Sequence, residues 1–175
     1  MSPLNITKTK LTGVLSIAPA SKFEDHRGTN LEIYNMEIYS SAGINLEFIQ
    51  DNLSVSQYNV LRGIHGDRKT WKLISCLSGS IYLIVVNNDI NSKQYREWVS
   101  FELSDKNCQQ ILIPPNFGNG HLVLSSSAIF HYKQTTNYDK NSQFTIYWDD
   151  PEYNFWWPNA NPITSLRDSS FTIKK

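Results

Sequence analysis

The stretch LISCLSGSIYLIVV, residues 73–86, decides the fold because it is the most apolar run of the chain. Its second half, residues 80–86, predicts a fully buried strand that ends at the polar turn Asn87–Asp89. Gly79 lies between the two apolar halves and can adopt the backbone conformation that a hairpin or a bulge requires. The stretch therefore predicts neighbouring strands of a β-meander.

Strand patterns also occur on both sides of this stretch. Val99, Phe101 and Leu103 share one face of EWVSFEL, and Ile111 and Ile113 share one face of QQILI. Further strand-like runs, separated by Gly, Asn, Ser or Asp, are NLEIYNMEI (30–38), NLEFIQDNLSVS (45–56), AIFHYKQT (128–135) and QFTIYW (143–148). No helical pattern lasts more than about two turns, so the sequence predicts an all-β sandwich or barrel.

The size of the chain and its tail refine this architecture. With 175 residues the chain is long enough for one sizeable core and too short for two ordinary domains, so a single domain over residues 1–175 is expected. An antiparallel barrel that closes around a ligand pocket is a jelly roll of the cupin type. The segment from Asp149, rich in Pro, Asn and aromatic residues, is expected to pack back over this barrel.

Composition narrows the possible partners and the compartment. Sixteen basic and sixteen acidic residues give a formal net charge of zero, which argues against nucleic acid and acidic membranes as partners. The first residues, MSPLNITKTKLTGV, contain no apolar signal-peptide core, and no run approaches the length of a membrane span. Cys76 and Cys108 have neither metal-ligand spacing nor the density of a disulfide framework. We therefore expect a cytoplasmic protein with two structural thiols.

Four histidines, His26, His65, His121 and His131, are the candidates for metal ligands or proton transfer. A cupin metal site usually combines a His-x-His pair, a carboxylate and a later histidine. His65 has no His-x-His partner, and Asn119 stands where a ligand would be expected in PPNFGNGHLVL, although His121 follows two residues later. A metal site is accordingly disfavoured.

His65 is then either a buried structural imidazole or a general base. Arg62 and Lys72 flank it in RGIHGDRKTWK and supply positive potential for a phosphate, a carboxylate or an enolate oxygen. Tyr132 shares a strand face with Ala128 and Phe130, which predicts a phenol that points inward, whereas His131 and Lys133 point outward. Asp168, in LRDSS, could fix the tautomer of a catalytic imidazole.

An ordered set of motifs gives information about the protein family, which hydrophobic periodicity cannot provide. These motifs are FEDHRGTNLE (23–32), FIQDNLSVS (48–56), LRGIH (61–65), KLISCLSGSIYLIVV (72–86), ILIPPNFGNGHLVLS (111–125), AIFHYKQT (128–135), IYWDDP (146–151) and LRDSS (166–170). Together they cover nearly the whole chain and resemble the nucleotide-sugar 3,5-epimerases typified by dTDP-4-dehydrorhamnose 3,5-epimerase. The most specific elements are Leu-Arg-Gly-Ile-His followed by Lys-Leu, and the Ile-Pro-x-x-Phe-x-x-Gly segment.

The resemblance implies a cofactor-free epimerase with a double-stranded β-helix, usually dimeric, that acts on a nucleoside-diphosphate-4-keto sugar. The 4-keto group acidifies the hydrogens on C3 and C5, because the carbanion delocalises onto the keto oxygen as an enolate. By resemblance, His65 is the base, Asp168 its carboxylate partner and Tyr132 the acid on the opposite face. Lys72 matches the position that steadies the enolate oxygen.

The resemblance also implies a set of binding residues. Arg62, Gln50 and Asn52 match motif positions near the sugar and the diphosphate, and Arg27 and Glu32 match positions near the nucleotide. Phe23 is expected to pack beside the base. In the dimers of this family, the amino-terminal strands of one subunit contribute to the pocket of the other, so Arg27 is expected nearer to the partner's pocket than to its own.

Two departures from the family pattern bear on the substrate. Where the common motif reads Gly-Phe-Ala-His-Gly-Phe, this chain reads Asn116-Phe-Gly-Asn-Gly-His121, so Asn119 replaces a pocket histidine. An amide can hydrogen-bond a sugar oxygen but cannot carry a proton at neutral pH. Gly66 stands where an aromatic residue often follows the motif histidine. Both changes favour a branch similar to enzymes that act on GDP-4-keto-heptoses for capsule or surface polysaccharide.

Several questions stay open at this level. The sequence does not decide between GDP and dTDP, between a hexose and a heptose, or between inversion at C3, at C5 or at both. The alternative functions are a 3,4-ketoisomerase on a similar sugar nucleotide, a metal-dependent cupin such as a dioxygenase, and a non-catalytic sugar-nucleotide-binding module.

Overall fold

The computed structural model describes residues 4–19 and 21–169, in which thirteen strands and two short helices are present. The strands are β1 (Asn5–Lys8), β2 (Leu15–Ala18), β3 (Lys22–Asp25), β4 (Gly28–Leu31), β5 (Gln50–Gln57), β6 (Leu61–Gly66), β7 (Lys72–Ser78), β8 (Ser80–Asn87), β9 (Trp98–Ser104), β10 (Gln110–Ile113), β11 (Phe117–Val123), β12 (Ser127–Gln134) and β13 (Phe144–Thr145). The helices are α1 (Met36–Ser41) and a 3₁₀ turn at Lys140–Ser142.

Two antiparallel sheets form the body of the fold. The first sheet has the strand order β1-β2-β10-β7-β12-β5, and the second has the order β13-β6-β11-β8-β9. Strands β3 and β4 form a separate hairpin. Neighbours in each large sheet are mostly distant in sequence, as in a jelly roll, and the predicted all-β fold of the cupin type is confirmed.

The decisive stretch is apolar because its strands are covered on both faces. Ile81, Leu83 and Val85 of β8 belong to the core between the two sheets, whereas Ile84 and Val86 belong to a second cluster behind the second sheet. In a strand, successive side chains point to opposite faces, so two covered faces require a continuous apolar run. The sequence of β8 is therefore continuously apolar and does not alternate between apolar and polar residues as a half-buried strand does.

Gly79 has a different role from the one predicted. Strands β7 and β8 belong to different sheets, so the glycine connects the two sheets and is not the turn of a hairpin. Its φ is +75°, and a Cβ atom there would lie 2.2 Å from the carbonyl oxygen of Ser127. The hairpin partner of β8 is β9, reached through the polar turn predicted after residue 86.

Two irregular segments cover the outer faces of the sheets. Over the first sheet lies the segment that contains α1, which buries Tyr39 and Ile44. The predicted strand over residues 30–38 is only partly correct: β4 ends at Leu31, and Asn35 caps α1 by accepting hydrogen bonds from the N–H groups of Glu37 and Ile38. Over the second sheet, Tyr153, Phe155 and Trp157 pack against the cluster that includes Ile146, which confirms that the aromatic part of the segment from Asp149 packs back over the barrel.

No helix in the part of the chain that the structure describes could span a membrane. The single α-helix of that part of the chain has six residues, too few to cross a bilayer.

Candidate active site

A cleft with a volume of about 490 Å³ opens between the two sheets. The first sheet contributes side chains of β5, β7 and β12 to its wall: Asn52, Ser54, Lys72, Phe130 and Tyr132. The second sheet contributes side chains of β6 and β11: Arg62, His65, Asn119 and His121. The segments after β12 close the cleft with Tyr138, Gln143, Ser165, Arg167 and Asp168.

An irregularity in β6 brings Arg62 and His65 to the same face. These residues are three positions apart, so a regular strand would place their side chains on opposite faces. In the pairing of β6 with β11, His65 lies opposite Asn119 and Arg62 lies opposite His121, which leaves one extra residue on β6. The extra residue is accommodated at Gly63, whose φ is +113°.

Gly63 is also required by close packing. A Cβ atom at this position would lie 2.6 Å from the Cα atom of Gly120 and 2.7 Å from the carbonyl oxygen of Asn119. The glycine in Leu-Arg-Gly-Ile-His therefore allows the bulge and the close approach of β11. Gly63 therefore helps to direct the side chains of Arg62 and His65 into the same cleft.

His65 and Asp168 form the closest polar pair in the cleft. Nε2 of His65 lies 2.6 Å from Oδ1 of Asp168, and the N–H of Gly63 donates to Oδ2 at 3.3 Å. The carboxylate is buried, whereas 22% of the His65 side chain is exposed towards the cleft. Burial alone would raise the pKa of Asp168, but the hydrogen bonds from His65 and Gly63 outweigh it and lower that pKa.

With Asp168 ionised as the acceptor, Nε2 of His65 carries the proton and donates it to the hydrogen bond. Nδ1 is then the unprotonated nitrogen. The pair consequently holds the imidazole in the tautomer that has its basic nitrogen available for a ligand.

Lys72 lies in the wall next to this pair. Its ammonium donates to Oδ1 of Asn119 at 3.0 Å and approaches the carbonyl oxygen of His65 at 3.5 Å. Burial lowers the pKa of Lys72 to about 8, and the positive charge of Arg167 adds to this effect, while Asp67 opposes it. Around neutral pH the cleft therefore holds a poorly solvated cation close to His65.

Tyr132 faces the cleft as its strand position predicts. It packs against the inter-sheet core beside Phe130, with ring centroids 5.6 Å apart, and burial raises the pKa of its phenol. His131 and Lys133 lie on the opposite face of β12, where both contact Asp51, at 3.3 Å and 2.8 Å. The phenol remains protonated at neutral pH, so it can donate a proton.

Four of the predicted sugar-binding residues lie in or next to the cleft. Asn52, Arg62 and Asn119 line it. Gln50 lies behind them, where its amide donates to Oδ1 of Asn52 at 2.9 Å and so orients that side chain. Nε of Arg62 donates to the hydroxyl of Ser56 at 3.0 Å.

The structure does not bring the other three predicted binding residues to the cleft of their own chain. Phe23, on the hairpin of β3 and β4, is 69% exposed and does not pack beside His65 of the same chain. Arg27, in the turn of that hairpin, pairs with Asp25 at 2.6 Å, and Glu32 accepts a hydrogen bond from Asn35. The hairpin pairs with neither large sheet, which explains the separation.

Sequence reasoning missed several polar residues of the cleft, of which Arg167 is the most informative. It donates to Gln143 at 3.1 Å and to Thr145 at 3.2 Å, next to Asp168 in sequence. Its place inside the motif LRDSS was the available signal. Tyr138 lies in a polar segment without periodicity and carried no signal, whereas Gln143 begins the strand-like run at residues 143–148, which predicted a strand but not a place in the cleft. Within residues 4–19 and 21–169, no group of three His, Cys, Asp or Glu side chains has the geometry of a metal site.

The chain resembles known proteins over almost its full length. Residues 8–174 match the family of dTDP-4-dehydrorhamnose 3,5-epimerase. The dTDP-4-dehydrorhamnose 3,5-epimerase of Shigella flexneri is 36% identical over 169 residues, which cover 94% of this chain and 93% of that protein.

Solved structures agree with this match. A dTDP-6-deoxy-D-glucose-3,5-epimerase from Legionella pneumophila, in complex with dTDP-4-keto-L-rhamnose, has a TM-score of 0.89 at 35% identity, covering 94% of this chain and 89% of that one. A 4-keto-6-deoxy sugar epimerase from the novobiocin gene cluster of Streptomyces spheroides has a TM-score of 0.88 at 29% identity, covering 95% and 85%. The chain therefore belongs to the dTDP-4-dehydrorhamnose 3,5-epimerase family and is an epimerase of the sugar-nucleotide class.

Proposed function

We propose that this protein inverts C3, C5 or both of a nucleoside-diphosphate-4-keto sugar through an enolate, without a cofactor. The observation that carries the proposal is the pair of His65 and Asp168, 2.6 Å apart, facing a cleft that also holds Lys72 and Tyr132. These groups are a base, an enolate stabiliser and an acid, which are the parts that this reaction requires.

The first step is proton removal by His65. Nδ1 takes the proton from the carbon next to the ketone, and the electrons of the broken C–H bond move onto the keto oxygen. The imidazolium that forms is stabilised by Asp168, whose lowered pKa keeps it ionised. The ammonium of Lys72 offsets the negative charge that develops on the keto oxygen, in a site where burial strengthens that interaction.

The second step is proton return from Tyr132. The phenol donates its proton to the opposite face of the enolate carbon, the C–H bond re-forms with inverted configuration, and the ketone is regenerated. A proton from solvent then restores the phenol, and His65 releases its proton to solvent. One proton is removed and one is returned, so the reaction has no net redox change and consumes no co-substrate.

Substrate binding is assigned to the cations and amides of the cleft. Arg62 provides a guanidinium for the diphosphate, and Asn52, oriented by Gln50, provides hydrogen bonds for the sugar. Asn119 uses its side-chain oxygen to accept from Lys72, which leaves its N–H₂ group for the ligand. The nucleotide is dTDP or GDP, and relatives named for dTDP sugars support the first choice.

We further propose that the single domain works as a homodimer. Phe23, Arg27 and Glu32 do not line the cleft of their own chain, so a second copy is needed to bring them to the nucleotide. Leu53 and Val55 of the edge strand β5 are 64% and 63% exposed, which suits an interface. A monomer in sedimentation at micromolar concentration would contradict this part of the proposal.

The alternatives are separable by simple measurements. A metal-dependent cupin would lose activity on treatment with a chelator, a 3,4-ketoisomerase would move the keto group to another carbon, and a binding module would bind ligand without exchanging protons. The cytoplasmic location and the role in surface polysaccharide synthesis stay predictions, testable by fractionation and by gene deletion.

The most informative experiment is incubation of the protein with dTDP- and GDP-4-keto sugars in D₂O, with NMR detection. Deuterium at C3 or C5 together with inverted product, unaffected by chelator, is the expected result. Binding without exchange for every member of the set would overturn the proposed function.

A further inference from the structure

His121 is the buried titratable group of the cleft that the proposed reaction leaves unused. It follows Asn119 by two residues on β11, and both side chains line the cleft. The side chain of His121 is 3% exposed, and its ring stacks on Phe130 with centroids 4.0 Å apart and planes inclined by 11°. Because the nitrogens lie in the plane of the ring, this stack directs them sideways and away from Phe130.

The stack does not explain why an imidazole stands here. Nε2 of His121 is buried and has no hydrogen-bond partner in the structure. Buried polar atoms in folded proteins are nearly always paired, so an unpaired one calls for a partner that is absent from the free chain. A phenylalanine would give the same stack without leaving a polar atom unpaired.

The environment also fixes the chemical character of that partner. Burial, with the positive charge of Arg62 added, lowers the pKa of His121 to about 3, so the ring is neutral at physiological pH. A neutral imidazole offers one donor and one acceptor, which matches a hydroxyl group, itself both donor and acceptor. Anionic phosphate oxygens are better served by Arg62, and the keto oxygen by Lys72.

We propose that His121 is a specificity-determining residue, whose imidazole hydrogen-bonds a hydroxyl group on the exocyclic carbon chain of the sugar. The inference rests on the proposed function and deepens it. The common family motif has phenylalanine at this place, and relatives of this chain are named for 6-deoxy sugars, whose exocyclic carbon is a methyl group. The substrate class is therefore a 4-keto sugar nucleotide with a 2-hydroxyethyl group in place of that methyl, as in a 6-deoxyheptose.

The test compares two substrates with the wild type and with His121→Phe. The substrates are the GDP-activated 4-keto-6-deoxyhexose and 4-keto-6-deoxyheptose, together with their dTDP forms, and the readout is kcat/KM for deuterium uptake. The wild type should prefer the heptose by about 10²-fold, since a site built to pair a hydroxyl rejects an analogue that lacks it. His121→Phe should lose that preference while retaining hexose turnover.

Controls distinguish this role from a structural one. His131→Phe changes another buried histidine, which lies on β12 of the first sheet and does not line the cleft, and should leave the substrate ratio unchanged. If His121→Phe lowers both rates equally or changes neither, or if the wild type prefers the hexose, the proposal is overturned. If the wild type exchanges no substrate at all, the proposed function itself fails.

A second measurement does not depend on the folding of the variant. In wild-type protein labelled with ¹⁵N-histidine, the ring nitrogens of His121 should show a neutral imidazole at pH 6. The Nδ1 or Nε2 signal should shift when the heptose nucleotide binds but not when the hexose nucleotide binds. Equal shifts with both nucleotides, or no shift with either, would overturn the role in specificity.

Discussion

The cleft and the β3–β4 hairpin both carry residues predicted to bind substrate, yet only the cleft is assembled within one chain. Its central pair, His65 and Asp168, is 103 positions apart in sequence and 2.6 Å apart in space. The hairpin keeps its charge exposed, with Arg27 paired to Asp25 two residues away. In the proposed mechanism the groups for proton transfer lie within one chain, whereas the proposed homodimer would be needed to bring Arg27 to a cleft.

The largest effect should come from the base. In His65→Asn the side chain keeps a polar group facing Asp168 but can no longer accept a proton, so deuterium uptake and inversion should both fall by about 10²- to 10⁴-fold. Nucleotide binding, measured by calorimetry, should stay nearly unchanged. The matched control is His131→Asn, a buried histidine outside the cleft, which should keep its activity. Wild-type exchange in His65→Asn would remove His65 from the mechanism.

The next effect separates the two proton transfers inside the cleft. Tyr132→Phe keeps the base and the Lys72 cation but removes the donor on the opposite face, so the enolate should form and be reprotonated by His65. Inverted product should fall by about 10²-fold or more while deuterium still enters with retention. Both rates can be read from one NMR sample in D₂O.

Tyr82→Phe is the control for this variant, since its phenol packs behind the second sheet. It should change neither rate. If inversion and exchange keep their wild-type ratio in Tyr132→Phe, the phenol is not the acid.

A smaller effect should appear as a pH dependence. The folded-state pKa of Lys72 is lowered to about 8, so the ammonium is present below that pH and is lost above it. The rate of exchange should therefore fall above about pH 8, by up to tenfold for each further pH unit. Lys72→Met should be slow at every pH and lack this descending limb. A wild-type profile that stays flat to pH 9.5 would show that the charge of Lys72 is not needed.

Periodicity predicted the strands of the two sheets better than their connections. Val99, Phe101 and Leu103 pack on the inter-sheet core as their alternation predicts. The helix α1 was missed because its capping residue, Asn35, stands inside a run that reads as a strand. Gly79 shows the same limit: a glycine marks a change of direction, but the sheet that the next strand joins depends on tertiary packing.

In the site, too, periodicity predicted the regular strands and failed where the backbone is irregular. Alternation correctly gave the inward direction of Tyr132, because β12 is regular there. Alternation would have separated Arg62 from His65, and only the bulge at Gly63 brings them together. The match to the family motif Leu-Arg-Gly-Ile-His placed both residues in the site, but it gave no physical reason for the bulge. The predicted contacts of the hairpin with the cleft are not found within one chain, and in the proposed homodimer they would form with the neighbouring subunit.

The smallest expected effect concerns the β3–β4 hairpin, the region compared above with the cleft. Arg27→Ala should raise KM for the sugar nucleotide by about tenfold and leave kcat nearly unchanged, because the hairpin is assigned to binding and not to proton transfer. Arg96→Ala is the matched control: Arg96 is also partly exposed and pairs with a carboxylate, Glu152, at 2.6 Å. It should keep the wild-type KM. A fall in kcat for Arg27→Ala would show that the hairpin contributes to proton transfer and not only to binding.

Mixing two defective proteins decides whose cleft Arg27 serves. In a hybrid dimer of His65→Asn and Arg27→Ala subunits, one cleft would carry both defects if Arg27 acts across the interface, and the other would carry none. The hybrid should then show the wild-type KM at about half the wild-type kcat per dimer. If Arg27 acts on its own cleft, the only cleft with an intact His65 also lacks its arginine, and KM stays raised. Restored KM after subunit exchange, absent when either variant is assayed alone, would therefore show that the separated hairpin completes the neighbouring site.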